Sequence, residues 1–244
     1  MLEGEIGTEF GVVRVFGRFR DFSNDRPLVL ILRGAFPGHT QLFDFPGRLT
    51  GADVLIGDLP GMDGAPWVEP VDLAAFARLW DAAMRSGFPG RAHLVVGVSL
   101  GAVVAARMES PAALVAVDPA MSPTGMKPLT LALPGLLPKR SPEERRWATV
   151  VFAEGADYRE ALMACRKPGV VLIGEREWKE GRLRSLVSPS DAVMLASHPT
   201  LSLHRVERAG HNLPRDAAEE LAAAILGQLD NLTAVGRAAH GRPD

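Results

Sequence analysis

Five consecutive residues, Gly97-Val98-Ser99-Leu100-Gly101, carry the sharpest chemical signal in the chain. A serine flanked by glycines two positions before and two after suits a nucleophile held on a strained, positive-φ turn, because neighbouring strand and helix leave room there only for very small residues. A serine hydroxyl is a poor nucleophile at neutral pH. It needs an imidazole to take its proton, and the imidazole needs a carboxylate to fix its tautomer and stabilise its cation. Six histidines are available. His211 is singled out by position: it follows the last strand candidate, in a loop that opens into the terminal helix, whereas His204 lies inside that strand and His240 in the tail. His39, His93 and His198 are set aside on the same ground.

The elements that must position these groups are legible as short apolar runs alternating with longer amphipathic stretches, the pattern of a mainly parallel sheet covered by helices. Gly11 to Phe19 alternates like an antiparallel edge strand. Leu28 to Leu32, Val54 to Ile56, Leu94 to Val98, Leu114 to Val117, Val170 to Ile173 and Leu201 to Val206 are mostly continuous runs, as central strands buried on both faces require. Helices are expected over Val71 to Ser86, Ala102 to Met108 and Ala217 to Leu229. Ser99 thus falls directly between a strand and a helix, and that context gives the glycine-serine-glycine string its weight. Ala120 to Lys167 breaks the rhythm with its prolines, an apolar Leu129 to Leu137 segment and two expected helices, Pro142 to Phe152 and Tyr158 to Cys165; long excursions of this kind serve as lids, binding loops or plain structure. Thr233 to Asp244 is expected to fray.

Composition narrows the classes. The chain has 244 residues, 47% hydrophobic and 23% charged, the range of an ordinary globular protein. Lys plus Arg is 27 and Asp plus Glu is 29, for a net charge of -2, so no overall cationic field gathers nucleic acid or anionic lipid. The lone Cys165 excludes an intramolecular disulfide and a cysteine zinc cluster, and it suits a reducing, cytoplasmic setting. Met1 to Phe10 does not have the build of a signal peptide, which places the mature start near Met1. No apolar run reaches the roughly 20 residues of a membrane helix, so a soluble protein is expected.

Around the elbow, four further segments resemble the alpha/beta hydrolase family in its serine-nucleophile branch, and the resemblance spans nearly the whole chain. Leu30-Ile31-Leu32-Arg33-Gly34-Ala35-Phe36-Pro37-Gly38 is similar to the family's strand and His-Gly oxyanion loop, and Asp58-Leu59-Pro60-Gly61-Met62-Asp63-Gly64 to its D-x-P-G-x-G turn. Val171-Leu172-Ile173-Gly174-Glu175-Arg176-Glu177 is similar to the strand ending G-x-x-D that presents the acid, and Arg208-Ala209-Gly210-His211-Asn212-Leu213-Pro214 to the G-H-x-x-P segment. The order serine, acid, histidine is the family's order.

The resemblance implies an α/β-hydrolase fold, a mainly parallel central sheet flanked by helices, in a single domain over 1–244 with a small helical cap insertion at about 120–167. It implies that Ser99 attacks an acyl carbonyl, that His211 carries the proton and that Glu177 orients His211, with Asp118 as the alternative acid and Glu175 and Asp191 as weaker candidates. Backbone amides of Ala35 and Leu100 would hold the oxyanion, and Arg33 and Phe36 would meet substrate. Neither metal nor organic cofactor is required, and the expected partner is a small acyl substrate, with no nucleic acid or membrane and an undetermined oligomeric state.

Two departures stand out. Glutamate at 177 replaces the family's usual aspartate, and Arg33 stands where histidine usually precedes the oxyanion glycine. Arg33 either braces the loop through buried carboxylates or recognises an anionic substrate group. Serine at position 99 argues against the dehalogenase and epoxide hydrolase chemistries of the family, which use aspartate there. Ester or thioester hydrolysis leads, with acyl transfer, carbon-carbon bond hydrolysis and a non-catalytic binding role as alternatives. A dinucleotide turn is the remaining rival, with Asp118 as its ribose ligand, but Ser99 occupies the position where a pyrophosphate needs glycine.

Overall fold

A computed structural model describes residues 2–18, 22–23, 26–35, 40–91, 93–175 and 183–240, with side chains described to residue 234. Among them, eight strands form one sheet: β1 (Leu2–Thr8), β2 (Gly11–Gly17), β3 (Leu28–Leu32), β4 (Asp53–Gly57), β5 (His93–Val98), β6 (Ala113–Val117), β7 (Gly169–Ile173) and β8 (Leu201–Arg205). Their spatial order is β1-β2-β4-β3-β5-β6-β7-β8. β3 to β8 run parallel to one another, while β1 and β2 form an antiparallel hairpin whose β2 pairs antiparallel with β4.

The continuous apolar runs are explained by two cores, one on each face. In β3, Leu28, Leu30 and Leu32 enter one core and Val29 and Ile31 the other, the period of two that a pleated strand imposes. The first core is covered by α2 (Leu73–Gly87) and α3 (Leu100–Arg107), the second by α1 (Phe45–Arg48) and α9 (Ala218–His240). Between β6 and β7 the chain makes α4 (Pro123–Leu136), α5 (Pro142–Val151) and α6 (Arg159–Met163), and α7 (Pro189–Ala196) and α8 (Leu213–Asp216) flank β8. Among the described residues no helix is long and apolar enough to cross a membrane.

Several elements differ from the sequence expectation. β8, expected as a central strand buried on both faces, is the edge strand of the sheet and is mostly exposed, and the short α1 has no counterpart in the expected helices. β1 is a full strand, paired residue for residue with β2 from Leu2 opposite Gly17 to Thr8 opposite Gly11. α4 is helical although it contains Pro128 and Pro134; Ser122 caps it by accepting from Gly125 N at 3.0 Å. α7 is an added helix, opened by a capping box of Ser188 and Asp191. α9 continues to His240, past Thr233, and 241–244 lie outside the described residues.

Candidate active site

Ser99 sits on the turn between β5 and α3 at φ 56° and ψ −118° and is 4% exposed. The two flanking glycines are required by contact. A Cβ on Gly97 would lie 2.4 Å from Ala102 Cα and from Gly101 O, and one on Gly101 would lie 2.4 Å from Leu32 O and 2.6 Å from Arg33 O. No side chain fits against backbone at those distances. The main chain fixes the turn from both sides: Ser99 N donates to Val117 O at 2.9 Å, and Ala102 N donates to Ser99 O at 3.1 Å. The nucleophile candidate is thereby tied to the last residue of β6, one position before Asp118.

Asp118 is fully buried, with φ 41°. Its Oδ2 lies 2.6 Å from His211 Nδ1 and accepts from Leu186 N at 2.8 Å. Its Oδ1 accepts from Ser185 Oγ at 2.5 Å and Gly174 N at 3.1 Å. With four partners on its two oxygens and no solvent contact, this carboxylate fixes the His211 ring through Nδ1, so that Nε2 is the ring nitrogen directed away from it. His211 follows β8, is 7% exposed, and donates its own N–H to Leu183 O at 2.7 Å. The Ser99 hydroxyl makes no hydrogen bond among the described residues; nucleophile-to-base bonds are often long without substrate and tighten when it arrives.

The other carboxylates fall elsewhere. Glu177 and Phe36 lie outside the described residues. Glu175 Oε1 accepts from Arg208 N at 2.8 Å, bracing the loop that carries His211. Asp191 is buried in the capping box of α7, where its Oδ2 accepts from Ser122 Oγ at 2.6 Å and from Ser188. Asp118 is the carboxylate in hydrogen-bond contact with His211 among the described residues. The signal for it in the sequence is a charge that ends an otherwise apolar buried run, Ala113–Val117. Ser185 and Leu186, which hold that carboxylate, have no comparable signal.

Arg33 is 5% exposed, and its guanidinium is paired with Asp58 and, at 2.7 Å, with Asp63 Oδ2, while stacking over Phe43 with its central carbon 5.1 Å from the ring centroid. Arg14 also pairs with Asp58 and bonds Asp63 O. This is the bracing arrangement: both carboxylates belong to the turn after β4, and Arg33 N donates to Gly57 O at 3.0 Å. Burial pushes the Asp58 carboxyl above its ordinary value against the pull of Arg33 and Arg14. Ala35 is half-buried two residues on, and Leu100 is the first residue of α3. The N–H of a first-turn residue has no partner within its own helix and points its partial positive charge outward, so Leu100 can meet a developing oxyanion. Among the described residues no group of three or more His, Cys, Asp or Glu could hold a metal ion.

Comparison with known proteins bears on family and fold. A model of the alpha/beta hydrolase family matches residues 29–224. No curated protein matches the chain. A thermophilic esterase from Thermogutta terrifontis superposes with a TM-score of 0.68 at 18% identity, covering 95% of this chain and 99% of its own. A thioesterase domain from the curacin biosynthetic pathway gives 0.64 at 19%, covering 93% and 100%. An N-formylmaleamic acid deformylase from Pseudomonas putida gives 0.64 at 17%, covering 92% and 100%. At these identities the likeness is one of fold.

Proposed function

Because the chain belongs to the alpha/beta hydrolase family, we propose that it is a serine hydrolase that cleaves a small carboxylic ester or thioester through an acyl-enzyme. Ser99 Oγ attacks the acyl carbon as His211 Nε2 takes its proton. The N–H groups of Leu100 and Ala35 receive the negative charge that develops on the carbonyl oxygen. The imidazolium then protonates the leaving alcohol or thiol, and water, activated in turn by His211, releases the acid. Asp118 holds His211 in the required tautomer and stabilises its cation. No metal or organic cofactor takes part in this scheme. The observation that carries the reading is the 2.6 Å contact between His211 Nδ1 and Asp118 Oδ2, beside a serine at φ 56° at the start of a helix. The esterase and thioesterase among the similar folds favour acyl transfer to water as the reaction class.

The test is an acyl-chain series of nitrophenyl esters and thioesters assayed with wild type, Ser99→Ala, Asp118→Asn and Glu177→Gln. Loss of the orienting carboxylate typically costs about 10⁴-fold in turnover, expected here for Asp118→Asn, with Glu177→Gln unchanged. The reverse pattern would return the role of acid to Glu177. A Ser99 inert to fluorophosphonates as well as to every ester would sink the hydrolase reading.

A further inference from the structure

Asp118 has no arginine or lysine partner among the described residues; its ion-pair partner is His211. Its charge is therefore carried by the four hydrogen bonds it accepts. Two of those donors, Gly174 N and Leu186 N, are main chain. Apart from His211, the one side-chain donor is the hydroxyl of Ser185, itself fully buried and 2.5 Å from Oδ1. The same oxygen accepts from Val187 N at 3.2 Å, which leaves the hydroxyl proton directed at the carboxylate, since a hydroxyl has one proton to give. Ser185 N in turn donates to Glu175 O at 3.0 Å, and His211 N to Leu183 O at 2.7 Å. The stretch from Leu183 to Leu186 thus forms a strap that touches the carboxylate from one side and the backbone of His211 from the other.

We propose that Ser185 is a positioning residue for the triad, its hydroxyl holding the Asp118 carboxylate in the orientation that serves His211 and setting how much negative charge that carboxylate presents to the ring. The inference rests on the reading of Asp118, His211 and Ser99 given above. A carboxylate that shares its charge with a hydroxyl stabilises the imidazolium less than one that does not, so the bond adjusts the basicity of His211 as well as its aim. Two carboxylates brace the loop that carries His211: Glu175 and Asp216 accept from the backbone N–H groups of Arg208 and Gly210. Substitution of Ser185 leaves those two bonds in place.

The experiment follows the rate of Ser99 labelling by a fluorophosphonate as a function of pH, which needs no knowledge of the natural substrate. Ser185→Ala is expected to label about tenfold more slowly at the plateau, the usual scale for a lost hydrogen bond to a charged group. The acid limb of its profile should move to higher pH by roughly half a unit, because the unshared carboxylate favours the protonated ring. Ser185→Thr, which restores the hydroxyl, should return both toward wild type; a purely packing role would leave the limb where it is. If the alanine variant does not fold, Ser185→Cys makes the same comparison with a weaker donor of similar size. A wild-type rate and limb in Ser185→Ala or Ser185→Cys overturn the proposal. Undiminished labelling of Asp118→Asn would instead overturn the triad reading beneath it.

Discussion

At position 33 a permanently charged guanidinium stands where the family usually has histidine, and its fork is spent on Asp58 and Asp63. Arg33→Gln would leave Asp58 with Arg14 as its one guanidinium partner among the described residues, and losing a hydrogen bond to a buried charged group typically costs about 1.5–3 kcal/mol. The deficit should be larger at pH 8 than at pH 5. Asp58 already sits above its ordinary value because of burial, with Arg33 the main opposing influence and Arg14 the next, so in the variant it takes up a proton more readily and sheds its less compensated charge as pH falls. Urea unfolding of both proteins at the two pH values checks this. Since Arg33 faces protein carboxylates, the variant should lose activity equally on neutral and acidic esters; a loss confined to acidic ones would restore its role in substrate recognition. Residue types and spacing point to Ser99 and His211 as candidates. A carboxylate partner for His211 is harder to read, because several carboxylates follow strand ends and only three-dimensional packing shows that Asp118 meets the ring.

Elements were legible where their burial was uniform and obscure where it was not. β3, β5, β6 and β7 are buried along their whole length and stand out as continuous apolar runs. β1 alternates exposed and half-buried residues and carries glycine and glutamate, so nothing local marks it; its strand state comes from pairing with β2. In α4, Pro128 and Pro134 argue locally against a helix, yet Met126 and Leu133 are buried in the core, and packing overrides propensity. The junction between β5 and α3 is the element on which the site depends most. In Gly101→Ala the new methyl meets Leu32 O and Arg33 O, both backbone, so helix and strand must part. Overpacking of this kind typically costs about 1–3 kcal/mol. Calorimetry should show that loss, and Ser99 labelling should slow further than instability explains, because the displaced strand leads to Ala35.

Across the whole molecule, the near balance of charge leaves the response to pH to a few buried groups. His93 opens β5 in the interior, and burial holds its imidazole below the ordinary value. The folded state then resists a proton that the unfolded chain accepts, so stability present above the ordinary imidazole value is lost as pH falls through it toward the depressed one. Equilibrium unfolding between pH 7.5 and 5 should show this fall in wild type and a flatter curve in His93→Gln. The fold as a whole was legible because strand, turn and helix signals recur in one order over most of the chain. The strap that holds Asp118 was not, since its bonds join residues far apart in sequence.

The proposed acid at the end of β6 also bears on which parts of the chain can be exchanged. Asp118 stands five residues before α4, so the excursion that carries α4, α5 and α6 begins almost at the carboxylate that meets His211. A chimera that replaces those helices must therefore make its first junction beyond Met121, whose carbonyl already receives Tyr158 N at 2.6 Å. If Asp118 is the acid, the turn after β7 has to keep Gly174 N, the strap and the Glu175 bonds to the His211 loop in place. On the proposed reading, loop grafts after β7 should spare Ser99 labelling as long as those bonds are kept.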